Sequence, residues 1–177
     1  MRVENKLALV GIVTASICIV LFIWGVRLVT EQQFRERPDH AFTPGLAGPI
    51  TIDQVCMDRP TPEVSKETRS WVFDHYGIDR PKPRDYELDR LIAPELGGSD
   101  DPRNVWPQPY GRSEWNAHVK DALEDHLHEL VCENKVSLAT AQQEISSDWI
   151  AAYKKYFQTQ QPIASHEAFT KDAPWEP

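Results

Sequence analysis

The stretch from Tyr86 to Tyr110, YELDRLIAPELGGSDDPRNVWPQPY, decides the fold. Residues 86–92 alternate enough in polarity to predict a strand, and residues 104–106 form a second short segment of β-favouring side chains. Between them lies PELGGSDDPR, whose paired glycines permit positive φ angles and whose aspartates favour turns. The stretch therefore predicts a two-stranded hairpin that forms the first part of a ββα unit.

Helical patterns lie on both sides of this hairpin. Apolar residues at helical spacing predict three helices, from Pro62 to an end at Gly77, from the cap Ser113 to Cys132 and from the cap Ser137 to Phe157; Thr61 caps the first. The last two helices are joined by the short connection ENKV, which predicts an antiparallel helical hairpin. Residues 50–56 predict a strand or extended segment. The predicted fold class is α+β.

The N-terminal segment Leu7–Val26 contains no charged residue over about 20 positions, which is the length that crosses the hydrocarbon core of a bilayer. A single transmembrane helix is the favoured interpretation, and a cleaved signal peptide is the alternative. The predicted organisation has four parts: a membrane anchor over 1–30, a juxtamembrane linker over 31–50, an α+β domain over 51–157 and an extended tail over 158–177. The tail carries Phe169 and Trp175 as candidate partner-binding residues, and the lipid bilayer is a predicted partner.

The charge balance is acidic, with 19 Lys plus Arg against 27 Asp plus Glu and a formal net charge of −8. A negative surface repels phosphates, so nucleic acid is not an expected partner. The six Trp residues favour a packed core over a disordered chain.

Cysteine usage bears on the compartment. Cys18 lies within the apolar segment, whereas Cys56 and Cys132 bracket the predicted domain and could form a disulfide; two buried thiols are the alternative. A disulfide persists in an oxidising compartment. The cysteines therefore predict that the C-terminal domain lies outside the cytoplasm.

Several motifs together resemble a group of bacterial, mostly exported proteins with an HNH-like (ββα-metal) nuclease domain. The matching pieces are ELDRLIAPELGGSDDPRNVWPQPY, Cys56, the Tyr-Gly pair at residues 76–77, KDALE at residues 120–124, LHELVC at residues 127–132 and DWIAAYKKY at residues 148–156. The resemblance implies an HNH-like ββα fold and strengthens the predicted pairing of the two cysteines. It also implies a Mg²⁺ site, in which Asp89 is the metal carboxylate and Asn104 braces the loop or reaches the metal. Asn116 and His118 are both candidates for the third position.

Arg90 stands where the HNH pattern has its general-base histidine. A guanidinium stays protonated and cannot take a proton from water, and its positive charge opposes a neighbouring cation. His118 and His75 are the substitute bases to consider, although His75 on a packing face is expected to be a hydrogen-bonded core residue.

We therefore predict a single-pass protein of the bacterial inner membrane, with its C-terminal domain on the periplasmic or extracellular side. This HNH-like domain is expected to be catalytically inactive and to act as an accessory or scaffold subunit with other membrane or periplasmic proteins. Its host could be any assembly with an extracytoplasmic face, including a respiratory or photosynthetic complex, and no cofactor is expected. The alternative is a membrane-tethered, Mg²⁺-dependent endonuclease.

Overall fold

A computed structural model of the chain describes residues 18–24, 36–57, 61–111, 113–167 and 175. The chain divides into two compact units, Met1–Phe34 and Arg35–Pro177. In the first unit, residues 18–24 are helical and their side chains are exposed. The second unit contains the α+β domain, which begins with a short helix and has its two strands between longer helices.

The predicted fold class needs one correction, which concerns the N-terminal transmembrane helix. Among the residues that the structure describes, no helix is long and apolar enough to cross a membrane. Of the segment Leu7–Val26, the described part is residues 18–24, which rises only about 10 Å as an α-helix against the ~30 Å of a hydrocarbon core. The rest of that segment lies outside the described residues.

The central hairpin confirms the two predicted strands. Strand β1 is Tyr86–Arg90 and strand β2 is Val105–Pro109; they pair antiparallel, with Asp89 opposite Trp106. Two 3₁₀ turns, Pro94–Leu96 and Pro102–Asn104, lie in the connecting loop.

The two glycines of that loop are needed for different reasons. Gly97 has a φ of +78°, a conformation that favours glycine. At Gly98 a Cβ atom would overlap the backbone carbonyl of Ile92. The turn is therefore closed by one positive φ angle and one close backbone approach.

The helices largely follow the predicted segments, with shifted starts. The helices of the second unit are α1 (Ile52–Val55), α2 (Lys66–His75), α3 (Ala117–Cys132), α4 (Leu138–Phe157) and α5 (Ala164–Glu167). Ser65 and Asn116 cap α2 and α3, so both helices begin several residues later than predicted. The predicted strand over 50–56 is wrong, because Thr51 and Gln54 form a capping box that starts α1.

Helix α4 is not the single straight helix that its apolar pattern predicts. Asp148 has φ −161° and ψ 94°, which breaks the helix, and its carboxylate caps the amides of Ile150 and Ala151. Beyond the break, Trp149 contacts Trp115 before α3, whereas Phe157 contacts His126 in the middle of α3. The half of α4 after Asp148 therefore runs in the same direction as α3. The predicted antiparallel packing against α3 is restricted to the half of α4 before Asp148.

The hydrophobic core lies between α3, both halves of α4 and the loop after β1. Its fully buried members include Leu96, Leu123, Leu127, Ile145 and Tyr153. The predicted disulfide between Cys56 and Cys132 is confirmed, and it ties the end of α1 to the end of α3.

Residues 36–50, predicted as a linker, lie against the domain. Arg37 donates two hydrogen bonds to Asp148, at 3.0 and 3.1 Å. Thr43 is fully buried and donates to the carbonyl of Val105. Ala47 forms an isolated bridge with Gly98. This segment therefore covers the loop side of the β hairpin.

Candidate functional site

The side chain of Asp89 is held by a buried lysine. The Nζ atom of Lys120 on α3 lies 2.9 Å from Oδ1 and 2.8 Å from Oδ2 of Asp89, and it also donates to the backbone carbonyl of Arg90 at 2.9 Å. On the other side, the indole Nε1 of Trp106 donates to Oδ2 of Asp89 at 2.6 Å. Both oxygens of the carboxylate are therefore occupied by donors from the protein itself.

Lys120 is paired with a second carboxylate one helical turn later. Its ammonium forms an ion pair with Glu124, and the side chains of Lys120, Asp89 and Glu124 are 0%, 5% and 5% exposed. Burial opposes the charged lysine, but the two carboxylates outweigh it and raise the pKa of Lys120 above its ordinary value. Lys120 is therefore protonated at neutral pH and cannot serve as a base.

Arg90 is engaged away from this ion cluster. Successive strand residues point to opposite faces, so its side chain leaves the hairpin on the side opposite to Asp89. The guanidinium donates to Asp100 at 2.9 Å and to the carbonyl of Pro62 at 2.8 Å, and the side chain is 7% exposed. Arg90 thus links β1 to the glycine loop and to the segment before α2, which is a structural use of the position.

Asn104 braces the loop with its whole side chain. Its Oδ1 accepts from the amides of Leu46 and Ile92, both at 3.1 Å, and its Nδ2 donates to the carbonyls of Ile92 and Ser99. The residue is fully buried. Of its two predicted roles, loop bracing accounts for all of these contacts.

The remaining predicted site residues do not converge on Asp89. Asn116 caps α3 by accepting from the amide of Val119. His118 is half-buried, burial lowers its pKa, and its Nδ1 is enclosed without a partner among the described residues. It is two residues from Lys120 and therefore faces about 200° around the helix. His75 is exposed and stacked on Trp71, with Nδ1 at 2.8 Å from the carbonyl of Trp71; its predicted burial in the core is wrong.

These residues do not fit the Mg²⁺ ion that the HNH-like resemblance implies. A divalent cation needs several free oxygen ligands, whereas both oxygens of Asp89 already accept from Lys120 or Trp106, and the side-chain amide of Asn104 is engaged by the loop. Within the described ranges, no group of three or more His, Cys, Asp and Glu side chains is arranged to hold a metal ion. The cavity beside the cluster, lined by Glu87, Asp89, Arg90 and Glu124 among others, has a volume of about 30 Å³, which is room for about one water molecule.

Of the two predicted partner-binding aromatics, Trp175 is described and Phe169 lies outside the described residues. Trp175 contacts α2 and β1 of the same chain, through the guanidinium of Arg69, the ring of Phe73 and the carbonyl of Tyr86.

The ion cluster itself was not predicted from the sequence, although one signal was present. Lys120, Glu124, Leu127 and Val131 repeat at intervals of four, three and four residues, so two charges occupy the apolar stripe of α3. A charge on such a stripe indicates a buried ion pair, because a lone buried charge is not tolerated. The other partner of Lys120 is the carboxylate of Asp89, 31 residues earlier in the chain. No pattern in the sequence indicates that pairing.

Comparison of the chain with protein-family models, with curated proteins and with solved structures finds no match in any of the three. The HNH-like resemblance is therefore a hypothesis that depends on its motifs and on the ββα order of β1, β2 and α3.

Proposed function

We propose that this chain is a catalytically inactive HNH-like protein that serves as an accessory or scaffold subunit for proteins of the bacterial periplasm or inner membrane. The observation that carries the proposal is the buried ammonium of Lys120 on Asp89. In a metal-dependent nuclease this carboxylate would bind the cation, whereas here a fixed positive charge of the protein neutralises it. The cluster then stabilises the contact between the hairpin and α3.

Three further features support the same proposal. Arg90 cannot act as a general base, and its hydrogen bonds to Asp100 and Pro62 give it a structural role. The net charge of −8 disfavours binding to a polyanion. The disulfide between Cys56 and Cys132 is compatible with an oxidising compartment, to which it points only weakly.

A plasmid-nicking assay tests the loss of catalysis. The purified full-length chain is incubated with supercoiled plasmid and Mg²⁺ or Mn²⁺, beside the variants Asp89→Ala and Arg90→His, whose folding is checked by circular dichroism. We expect no metal-dependent nicking by the wild type. Nicking that requires the metal and disappears in a folded Asp89→Ala variant would establish the nuclease alternative instead.

The scaffold part of the proposal is tested separately. Affinity purification of the full-length chain from its native membrane and periplasmic fractions should recover one or more proteins in a fixed stoichiometric ratio. Recovery of the lone chain under mild conditions would contradict a role as a subunit. The wild-type nicking result does not depend on this outcome, so the two parts can fail independently.

A further inference from the structure

A groove beside α2 holds a side chain from the far C-terminus. The guanidinium of Arg69 lies 4.6 Å from the centre of the Trp175 ring, and the ring of Phe73 lies 5.7 Å from it. The indole Nε1 of Trp175 donates to the carbonyl of Tyr86 at 3.1 Å. These three contacts are a cation–π interaction, an aromatic contact and a directed hydrogen bond, and together they select an indole.

Trp175 fills only part of the groove. A cavity of about 700 Å³ lies beside it, and Trp175 forms one of its walls. The other lining residues come from α2 and from the turn that follows it: Lys66, Arg69, Ser70, Phe73, Asp74, Gly77, Ile78, Asp79, Arg80 and Pro81. A cavity of this size lies within the range of ligand sites, so the groove has room for further residues beside a tryptophan.

The charge of the groove differs from that of the whole protein. Lys66, Arg69 and Arg80 line it against Asp74 and Asp79, which leaves an excess of one positive charge in a chain of net charge −8. The segment that supplies the tryptophan, KDAPWEP, carries Lys171 against Asp172 and Glu176, an excess of one negative charge. The excess charge of the groove and that of the segment are therefore opposite in sign.

We propose that this groove is a recognition site for a tryptophan-bearing acidic segment of a partner protein, and that Trp175 is an internal ligand that the partner's segment replaces. This inference rests on the proposed accessory function, since it names the kind of partner that such a subunit binds. A short tethered ligand has an effective concentration in the millimolar range, so an incoming segment must compete with it.

The test uses a labelled peptide and the full-length chain. The peptide KDAPWEP carries a fluorophore at its N-terminus and is titrated by fluorescence anisotropy with the wild type and with Trp175→Ala, in which the groove is vacated. If the peptide binds the vacated groove with a Kd near ~0.1 mM, a tethered competitor at ~1 mM makes wild-type binding about tenfold weaker. Near-ultraviolet circular dichroism checks that each variant is folded.

Matched variants assign the binding to the groove. In the Trp175→Ala background, Arg69→Ala should weaken peptide binding about two- to fivefold through the lost cation–π contact. Arg84→Ala removes an exposed arginine that does not line the groove, and it should leave binding unchanged. A peptide with alanine in place of its tryptophan should not bind.

Three results would overturn the inference. They are no binding to Trp175→Ala, equal binding to the wild type and Trp175→Ala, and binding that Arg69→Ala leaves unaltered. A concentration-dependent dimer of the wild type that Trp175→Ala abolishes would also overturn it, because the occupant would then be a second copy of the chain. None of these results bears on plasmid nicking, so the inference can fail while the loss of catalysis holds.

Discussion

Replacement of Lys120 by methionine is the most direct test of how the ion cluster holds the domain together. Methionine keeps most of the buried apolar stem and removes only the ammonium. The change leaves the carboxylates of the buried side chains of Asp89 and Glu124, each 5% exposed, without their shared cation. Removal of one partner from a buried ion pair costs about 3 to 5 kcal/mol. We therefore expect the free energy of unfolding to fall by about that amount at pH 7.

Urea denaturation, followed by far-ultraviolet circular dichroism, measures this effect. With a denaturant slope of about 2 kcal/mol per molar, the loss predicts a midpoint about 2 M lower than that of the wild type. Lys155→Met is the matched control, because Lys155 forms its ion pair with Glu144 at the surface, where such pairs contribute little. Its midpoint should stay close to that of the wild type.

The stability difference between the wild type and Lys120→Met should shrink towards both ends of the pH range. In the wild type the raised pKa of Lys120 contributes stability that is fully present below the unfolded pKa of ~10.4 and is lost as the pH rises through the folded value. In Lys120→Met the uncompensated carboxylates can accept protons, so its deficit should shrink from pH 7 to pH 4. A midpoint within ~0.5 M of the wild type at pH 7 would refute the reasoning.

Three further predictions concern the disulfide, the glycine loop and the cap at the break of α4. The double variant Cys56→Ser/Cys132→Ser should lose about 4 kcal/mol of unfolding free energy in denaturant titrations, because the disulfide closes a loop with a sequence separation of 76; a midpoint that reductant does not change in the wild type would contradict this. Gly98→Ala should cost about 1 to 3 kcal/mol in thermal unfolding, since its Cβ atom would overlap the carbonyl of Ile92, whereas Gly111→Ala has open space and should be neutral. Asp148→Ala should cost about 1 to 2 kcal/mol through the lost cap. Burial opposes the charged form of Asp148, but hydrogen bonds from Arg37 and Ala151 outweigh it and lower its pKa. The contribution of this carboxylate is therefore fully present above the unfolded pKa of ~3.9 and is lost as the pH falls through the lower folded value. A difference from the wild type that does not shrink as the pH is lowered through this range would contradict the assignment.

The elements that local pattern controls were predictable. The hairpin follows from its alternating strand, its turn residues and the glycine pair, and the apolar stripes place α3 and α4 within a few residues of their observed bounds. Cap choice was less predictable, because Ser65 and Asn116 compete with nearby residues that can also cap a helix. The break at Asp148 was missed, since the apolar period continues across it.

The contacts that cross long sequence separations were not predictable. Asp148 meets Arg37 across 111 residues, and the Trp149 indole donates to the carbonyl of Glu36 across 113. These bonds hold the segment over residues 36–50 on the domain. The composition of that segment, rich in Pro and Gly, predicts only an irregular chain.

The sequence by itself determined that an arginine stands where the HNH pattern has its general base, that two cysteines bracket the domain and that a glycine pair closes the hairpin. Each of these depends on residue identity or on spacing within a few positions. Only the tertiary structure decided what Asp89 does, because its partners Lys120 and Trp106 reach it from another helix and from the opposite strand. From the sequence alone, Asp89 could bind either a metal ion or an ammonium group. The packed core decides between them, because it brings the ammonium of Lys120 to 2.9 Å from the carboxylate.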